Sequence, residues 1–354
     1  MAVYTKLKEE DINNILSNYS IGKLKSFKGI QEGIENTNYS LLVEEKKYIL
    51  TIYEKRVNPK DLPFFSDLMT GLNHRNFKCP VPIINNHKET ISDYNGKKLM
   101  IVSFLEGKAK QILTPDDCKQ VGVEVAKMHE ITKEFTVRRN NNLSISSWRK
   151  LFNSVKDQCV KINKDLPKLI EANLVDVEKN WPKNLPSGII HADLFSDNIF
   201  FHNDKFSGII DFYFSCNDFY SFEIAICFNA LCFDGQKDNL SFNVTKAKNF
   251  INGYSSIRNL LDNERENIKV LSKISLNYDI FINSALVPNF GQTKILQAVW
   301  TEWKDTNKSG HIINFGSSVD YYFRPDNRLY PVEKRSLRDL NRSLTKHVTW
   351  FDSK

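Results

Sequence analysis

A short loop at residues 191–198 combines side chains that suit phosphoryl transfer to an alcohol. Its sequence is His191-Ala192-Asp193-Leu194-Phe195-Ser196-Asp197-Asn198. Such a transfer needs a carboxylate that orients the alcohol and accepts its proton, and Asp193 has the right chemistry. The transfer also needs oxygen ligands for Mg²⁺, and the amide of Asn198, five residues later, can supply one. The loop therefore predicts a catalytic base and a metal ligand close together.

A second carboxylate follows at the end of an apolar run. Asp211 stands after Ile209 and Ile210, 18 residues beyond Asp193. The order H-x-D-L-x-x-x-N, then a strand that ends in an aspartate, is the order of the kinase catalytic loop and its metal-binding aspartate. Ala192 departs from that pattern, because it replaces an arginine. Single residues of these types are common in turns, but the combination at this spacing predicts Asp211 as a second Mg²⁺ ligand.

A turn at residues 28–39 is a candidate phosphate-binding loop. It reads K-G-I-Q-E-G-I-E-N-T-N-Y between two β-like runs. It lacks the Gly-Lys-Ser/Thr ending of a Walker A loop. Its backbone N–H groups could bind phosphate oxygens, but an ordinary hairpin turn has the same composition. Taken alone, the pattern fits both interpretations.

The elements around these loops change in type along the chain. In the N-terminal part, hydrophobic periodicity predicts helices over 7–18 and 60–74 and strands over 37–43, 48–53 and 99–104. Beyond Pro115 the pattern is mainly helical, with two short apolar runs, 199–201 and 208–210, that read as strands carrying the site. The predicted later helices are 115–131, 147–162, 166–180, 219–232, 241–253 and 262–277. This order predicts an α+β fold with a small, mixed, β-rich N-lobe, a larger, mainly helical C-lobe, and a ligand cleft between them.

Composition narrows the class of protein. The chain has 354 residues, of which 41% are hydrophobic and 26% charged, which excludes a disordered or collagen-like chain. It has neither an apolar run long enough for a transmembrane helix nor the apolar core of a signal peptide. The net charge of +7 is scattered, which argues against a nucleic-acid partner and suits a small anionic ligand. Six cysteines without a CxxC pair predict reduced thiols in a cytoplasmic protein.

Several further segments resemble a known superfamily. G-I-E-N-T-N-Y at 33–39, Y-I-L-T-I-Y-E-K-R at 48–56 and L-P-F-F-S-D-L-M at 62–69 resemble the aminoglycoside phosphotransferase and choline kinase-like superfamily. Residues 208–233 are similar to the signature of its homoserine kinase branch at nearly every position. The resemblance covers about residues 1–271 and does not extend into the tail from about Ser272 onward.

This resemblance implies a protein kinase-like bilobal fold that binds ATP and Mg²⁺ between its lobes. The implied division is an N-lobe at 1–104, a C-lobe at 105–271, and a divergent or appended tail at 272–354. It implies Asp193 as the catalytic base and Asn198 and Asp211 as the metal ligands. The implied substrates are ATP and L-homoserine, and the product is O-phospho-L-homoserine, a step toward threonine. The nucleotide-binding residues expected on this basis are Gly33, Glu35, Asn36, Thr37, Asn38, Lys55, Ser103 and Leu105.

Two positions depart from the superfamily pattern. Thr51 stands mid-strand where many kinases have a Lys or Arg that contacts the phosphates, so Lys55 or Arg56 is expected to substitute. The acid of the following helix is expected to be Asp67, with Asp61 as the alternative. Glu223 replaces an aspartate that usually holds the catalytic loop, and its extra methylene could shift that contact.

The acceptor substrate leaves several interpretations open. An amino-acid alcohol needs an acid for its ammonium group, with Asp218, Glu223 and Asp234 as candidates, and a donor for its carboxylate, with Arg149 as candidate. A choline or ethanolamine kinase, which would use an aromatic cage, and an aminoglycoside kinase are alternatives within the same fold. A non-catalytic, nucleotide-binding module is the alternative from a different class, and the intact Asp193, Asn198 and Asp211 argue against it.

Overall fold

The computed structural model of the chain describes residues 4–31, 36–54, 57–162, 164–234, 241–277, 280–283 and 311–314. Its helices are α1 (Glu9–Leu16), α2 (Leu62–His74), α3 (Pro115–Thr132), α4 (Ile145–Ile162), α5 (Leu166–Asn180), α6 (Tyr220–Leu231), α7 (Val244–Ser255) and α8 (Asp262–Asn277). Its strands are β1 (Leu24–Ile30), β2 (Thr37–Val43), β3 (Lys46–Ile52), β4 (Ile91–Tyr94), β5 (Lys97–Ser103), β6 (Lys108–Ala109), β7 (Ser187–Ile190), β8 (Ile199–His202), β9 (Lys205–Ile209), β10 (Cys216–Phe219), β11 (Phe233–Asp234), β12 (Ser241–Phe242), β13 (Ile280–Asn283) and β14 (His311–Asn314).

The N-lobe is an antiparallel five-stranded sheet in the order β1-β2-β3-β5-β4, together with α1 and α2. Side chains alternate between the two faces of a strand. Leu50 and Ile52 of β3 pack with the apolar face of α1, whereas Met100 and Val102 of β5 join the core around α2. Thr51, which pairs with Met100, therefore lies on the face toward α2 and the C-lobe. The strands predicted over 37–43 and 48–53 are confirmed as β2 and β3, and the two pair as an antiparallel hairpin.

The C-lobe is built around α3, whose start was encoded locally. The Thr114 hydroxyl accepts a hydrogen bond from the Asp117 N–H (3.1 Å), and the Asp117 carboxylate accepts one from the Thr114 N–H (2.8 Å). This capping box, with Pro115 in the first turn, satisfies N–H groups that a helix start leaves without partners. The buried face of α3 then packs with α2, α6 and α7 in one continuous core.

Helices α3 and α7 cross at a pair of glycines. A Cβ atom on Gly122 would lie 2.1 Å from the Phe250 carbonyl oxygen, and one on Gly253 would lie 2.1 Å from the Lys119 carbonyl oxygen. Backbone rather than a flexible side chain fills the space, so the two helices would have to move apart to admit a methyl group.

We predict that Gly122→Ala destabilises the fold. Overpacking of this kind costs about 1–3 kcal/mol, and the better helix propensity of alanine offsets about 1 kcal/mol of that cost. The expected net effect is therefore a lower midpoint of urea unfolding. An unchanged or higher midpoint would show that the crossing of α3 and α7 is looser than the contact with Phe250 indicates.

Short strand pairs position the site loops within the helical lobe. β8 pairs with β9, and β7 pairs with β10, both antiparallel. The sequence predicted β8 and β9 but missed β7 and β10. The α+β architecture is confirmed, with a β-rich N-terminal part and a helical C-terminal part. Most of the tail lies outside the described residues, apart from the end of α8 and the parallel pair β13–β14.

Two properties bear on the chain's surroundings. All six cysteines are buried, and none is part of a disulfide. Within the ranges that the structure describes, no helix combines the length and apolar character needed to cross a membrane.

Candidate active site

The loop at residues 191–198, predicted to be the catalytic loop, connects β7 to β8 and brings two of the predicted residues together. The Asn198 side-chain amide donates hydrogen bonds to the Asp193 backbone oxygen (2.8 Å) and to Asp193 Oδ2 (3.0 Å). These contacts fix the Asp193 carboxylate against the end of the loop. Because Nδ2 of Asn198 is used toward Asp193, its Oδ1 atom is the one left to face a metal ion.

Asp211 follows β9 and lies beside the same loop. Ile199 pairs with Ile209, and the Ile210 N–H donates to the Asn198 carbonyl oxygen (3.0 Å). Asp211 has φ 64° and ψ 61°, a left-handed conformation that Asp tolerates better than most residues. Strained backbone of this kind clusters at functional sites. The structure thus brings all three predicted residues of the C-lobe site to the ends of one hairpin.

His191 ties the two loops to each other. Its ring is fully buried, and burial lowers the pKa of His191, which favours the neutral form of the ring. Nε2–H donates to the Ile210 carbonyl oxygen (3.0 Å), and Nδ1 accepts from the Asp193 N–H (3.3 Å). Both ring nitrogens have partners in this tautomer. His191 therefore positions Asp193 relative to Asp211 through both of its ring nitrogens.

Glu223, at the start of α6, holds the catalytic loop from behind. Its carboxylate accepts hydrogen bonds from the N–H groups of His191 and Ala192, the latter at 3.0 Å. Ala192 has φ 64°, which is unfavourable for a non-glycine residue and must be held by its surroundings. The contact predicted for Glu223 is confirmed, and the extra methylene does not prevent it.

His129 of α3 forms a further layer behind Glu223. Its Nε2 atom lies 3.8 Å from Glu223 Oε2, and its Nδ1 atom is 2.7 Å from the Tyr254 hydroxyl. Burial lowers the pKa of His129. Sequence reasoning assigned this residue no role, although its position among the apolar residues of α3 signals a buried polar group.

We predict that Glu223→Gln lowers kcat and stability together. The NH₂ group of the new glutamine cannot accept a hydrogen bond, so either the His191 or the Ala192 N–H group loses its acceptor. An unsatisfied buried N–H group costs about 1–3 kcal/mol of stability. Steady-state kinetics and urea unfolding measure the two effects. Glu223→Asp is the matched control, because it keeps two acceptor oxygens. We expect its kcat and its stability to lie between those of Glu223→Gln and the wild type. Wild-type kcat in Glu223→Gln would mean that the loop holds its shape without this carboxylate.

The donor set fits Mg²⁺. Asn198 offers an amide oxygen and Asp211 a carboxylate, and the Ile210–Asn198 hydrogen bond keeps their backbones adjacent. Mg²⁺ prefers such hard oxygen ligands and is usually held by one or two protein groups together with waters and substrate phosphates.

The segment from Ser103 to Leu105, predicted to bind the nucleotide, lies next to β9, the strand that precedes Asp211. Ser103 donates its N–H to the Val81 carbonyl oxygen (2.9 Å), and its hydroxyl accepts from the Val81 N–H (2.9 Å). The Leu105 side chain packs on Gly208, where a Cβ would lie 2.7 Å from a Leu105 methyl carbon. The segment from Ser103 to Leu105 therefore runs beside β9, a short way from the predicted metal ligand.

The predicted phosphate loop is described only in part. Gly33, Glu35, Lys55 and Arg56 lie outside the described residues. Asn38 is on the face toward the C-lobe, where its Oδ1 atom accepts from the Thr51 hydroxyl (2.8 Å). Thr37 is on the other face, and its hydroxyl donates to Glu54 (2.8 Å) while it accepts from backbone N–H groups near the N-terminus. Asn36 is buried and accepts from the Glu54 N–H (3.3 Å).

Comparison with known sequences decides the family. The sequence profile of the phosphotransferase enzyme family matches residues 26–258. The chain belongs to this family. A homoserine kinase of Mesorhizobium japonicum is 43% identical over 273 residues, which are 77% of this chain and 84% of that protein. A homoserine kinase of Brucella anthropi is 44% identical over 273 residues, which are 77% of this chain and 83% of that protein. The resemblance inferred from the sequence is thereby confirmed.

Solved structures of other phosphotransferases and kinases share the fold. An amicoumacin kinase in complex with AMP-PNP and Ca²⁺ has a TM-score of 0.58 at 15% identity, and covers 76% of this chain and 83% of its own. A microcompartment-associated aminopropanol kinase has a TM-score of 0.54 at 14% identity, and the match covers 85% of this chain and 98% of that chain. These likenesses confirm the predicted kinase-like bilobal fold.

The four candidate residues for binding the acceptor substrate already have partners within the protein. Arg149 forms ion pairs with Glu178 (2.6 Å) and Glu171. Asp234 forms an ion pair with Lys246. Asp218 accepts from the Asn141 side chain (2.7 Å), and burial raises the pKa of Asp218. Glu223 is committed to the loop N–H groups. The structure therefore assigns none of the four to the acceptor.

The two candidate acids for α2, Asp67 and Asp61, have different surroundings in the structure. Asp67 is exposed on α2. Asp61, directly before α2, forms an ion pair with Arg139 (2.8 Å). The expectation favoured Asp67, but Asp61 is the carboxylate that contacts the C-lobe.

Proposed function

We propose that this protein is a homoserine kinase, which transfers the γ-phosphoryl group of ATP to the hydroxyl of L-homoserine and forms O-phospho-L-homoserine, a precursor of threonine. One observation carries the proposal. In a chain about 43% identical to proteins named homoserine kinase, Asp193, Asn198 and Asp211 are held together at the ends of one hairpin. Relatives named for this substrate argue against the choline, ethanolamine and aminoglycoside alternatives.

Asp193 performs the proton chemistry in this proposal. Its carboxylate, fixed by the Asn198 amide, accepts a hydrogen bond from the homoserine hydroxyl and takes its proton as the oxygen attacks the γ-phosphorus. The bond from phosphorus to the oxygen bridging the β- and γ-phosphates breaks, and that electron pair leaves with ADP. The proton passes from Asp193 to solvent after the product departs.

Asn198 and Asp211 are the residues that would hold Mg²⁺. When bound, the ion neutralises charge on the phosphate oxygens. ATP would lie between the lobes, with adenine against residues 103–105 and phosphates toward Asn38 and Lys55. The lobe boundaries at 104 and 271 belong to the same proposal. A cytoplasmic location is supported by the six cysteines outside disulfides.

ADP release by the purified protein with Mg-ATP tests this function. The acceptors are L-homoserine, choline, an aminoglycoside, and O-methyl-L-homoserine, which lacks the reacting hydroxyl. We expect a rate with L-homoserine alone. A comparable rate with choline or the aminoglycoside would overturn the substrate. An equal rate with O-methyl-L-homoserine would indicate ATP hydrolysis instead of transfer.

A further inference from the structure

Two ion pairs between an arginine and a carboxylate lie at opposite ends of α2. At its C-terminal end, Arg75 pairs with Glu134 (3.1 Å) and lies 5.0 Å over the Phe135 ring. At its N-terminal end, Asp61 pairs with Arg139 (2.8 Å). Both pairs join the N-lobe helix to the chain between α3 and α4, but their surroundings differ.

The Arg139 guanidinium makes contacts on three sides. Nε donates to Asp61 Oδ2 (2.8 Å), and one terminal nitrogen donates to the carbonyl oxygens of Ser215 (2.9 Å) and Phe214 (3.3 Å). Its Cζ atom lies over the Phe65 ring of α2, 5.1 Å from the ring centroid. The carbonyl groups belong to the segment that directly follows Asp211. Arg139 therefore contacts both the first turn of the N-lobe helix and the chain that leaves the metal site.

The backbone of Arg139 is fixed by β10. Its N–H donates to Asn217 Oδ1 (2.9 Å), and the Asn217 N–H donates to its carbonyl oxygen (2.7 Å). The side chains of Arg139 and Asp61 are 16% and 21% exposed, against 44% and 75% for Arg75 and Glu134. Solvent screens the first pair less, so that pair is expected to carry more energy than the exposed one.

The segment after Asp211 also packs directly against the N-lobe. The Tyr213 ring meets the Tyr53 ring edge-on at 5.2 Å between centroids, and the Phe65 ring at 5.6 Å. Phe65 thus lies between Tyr213 and Arg139. The aromatic packing and the arginine contacts together tie the metal-binding strand end to α2.

We propose that Asp61, Arg139 and the carbonyl groups of Phe214 and Ser215 form an inter-lobe clasp. Arg139 is a positioning residue in this clasp: it sets the placement of Asp211 relative to the N-lobe strands that face ATP. The role rests on the proposed phosphotransferase function of the cleft. A lysine cannot replace Arg139 here, because a planar guanidinium reaches the carboxylate and the carbonyl oxygens at once while stacking on an aromatic ring.

Arg139→Lys and Asp61→Asn test the clasp, with Arg75→Lys as the matched control. The control makes the same guanidinium-to-ammonium change in an ion pair over an aromatic ring at the other end of α2, but leaves the segment after Asp211 untouched. We expect kcat/KM for ATP to fall about 10-fold to 100-fold in Arg139→Lys, as when groups that orient metal ligands are lost. Asp61→Asn should change it in the same direction, and Arg75→Lys should not. KM for ATP should rise in Arg139→Lys and Asp61→Asn, while KM for L-homoserine stays within twofold in all three variants. A partly unfolded preparation would instead lower apparent kcat and leave both KM values unchanged.

The outcomes separate the clasp from the proposed function. If Arg139→Lys and Asp61→Asn keep the kcat/KM for ATP of Arg75→Lys, the clasp is wrong while the function stands. If the wild type transfers phosphate to no acceptor, the function is wrong, and the clasp is then judged by the Kd of a fluorescent ATP analogue. An equal Kd in Arg139→Lys and Arg75→Lys would overturn it. Asp61→Asn keeps the carbonyl contacts of Arg139, so it decides the matter even if Arg139→Lys does not fold.

Discussion

Asp193→Asn is expected to leave the fold intact and to lower kcat by about 10²-fold to 10⁴-fold, the usual contribution of a general base. Asparagine has nearly the shape of aspartate, but it cannot take the proton of the acceptor hydroxyl. The Asn198 amide, which donates to Asp193 Oδ2 at 3.0 Å, can still donate to the new side-chain oxygen. The loop should therefore keep its position, and the loss should appear in kcat.

Three measurements on the purified variant check this expectation. Steady-state kinetics with L-homoserine gives kcat, titration with a fluorescent ATP analogue gives the nucleotide Kd, and urea unfolding gives the stability. We expect only kcat to change by more than a few fold. Wild-type kcat would show that another group takes the proton. A collapse in stability would show that the carboxylate is needed for folding.

Asp211→Asn is expected to have the second-largest effect. Loss of the negative charge weakens the predicted Mg²⁺ site, and the charge stabilisation supplied by a metal ion is worth several kcal/mol, or roughly 100-fold or more in rate. Asparagine tolerates the left-handed backbone that Asp211 adopts at φ 64°, so the loop itself should survive. The measurement is the rate as a function of Mg²⁺ at saturating ATP. We expect a lower kcat and a higher Mg²⁺ concentration at half-maximal rate.

Asp204→Asn is a matched control for this second variant. Asp204 lies in the turn between β8 and β9, also has a left-handed backbone (φ 58°), and its side chain is 91% exposed. It shares the residue type and the conformation but is remote from the predicted metal ligands. An unchanged Mg²⁺ dependence in Asp211→Asn, or an equal change in Asp204→Asn, would contradict the assignment of Asp211.

The sequence was sufficient for those parts of the site that depend on local spacing. Asp193 and Asn198 are five residues apart in one loop, and Asp211 ends the strand that returns beside it, so a single hairpin brings the three together. The helix start at Thr114 could be predicted for the same reason, because its capping box spans four residues. The Glu223 contact was found only through the resemblance, since 31 residues separate it from Ala192.

The other parts of the fold and of the site depend on contacts between residues far apart in the sequence, which no local pattern reveals. Strand β10 has only four residues and pairs with β7, so neither periodicity nor length distinguishes it from a loop. Asp61 and Arg139 are 78 residues apart, and each alone reads as an ordinary charged surface residue. Alternation along β2 decides which phosphate-loop side chains face the C-lobe. The structure separates Thr37 from Asn38 in this way, whereas the sequence treats them alike.

The central claim is transfer of the γ-phosphoryl group of ATP to the hydroxyl of L-homoserine with Asp193 as the base. Phosphorus NMR of the reaction mixture tests it most directly, with the wild type and Asp193→Asn compared at equal protein concentration. We predict a phosphomonoester resonance matching authentic O-phospho-L-homoserine, equimolar with ADP, that forms at least a hundred times more slowly with Asp193→Asn. Formation of inorganic phosphate and ADP without the phosphomonoester, or an equal rate of monoester formation by the variant, would contradict the claim.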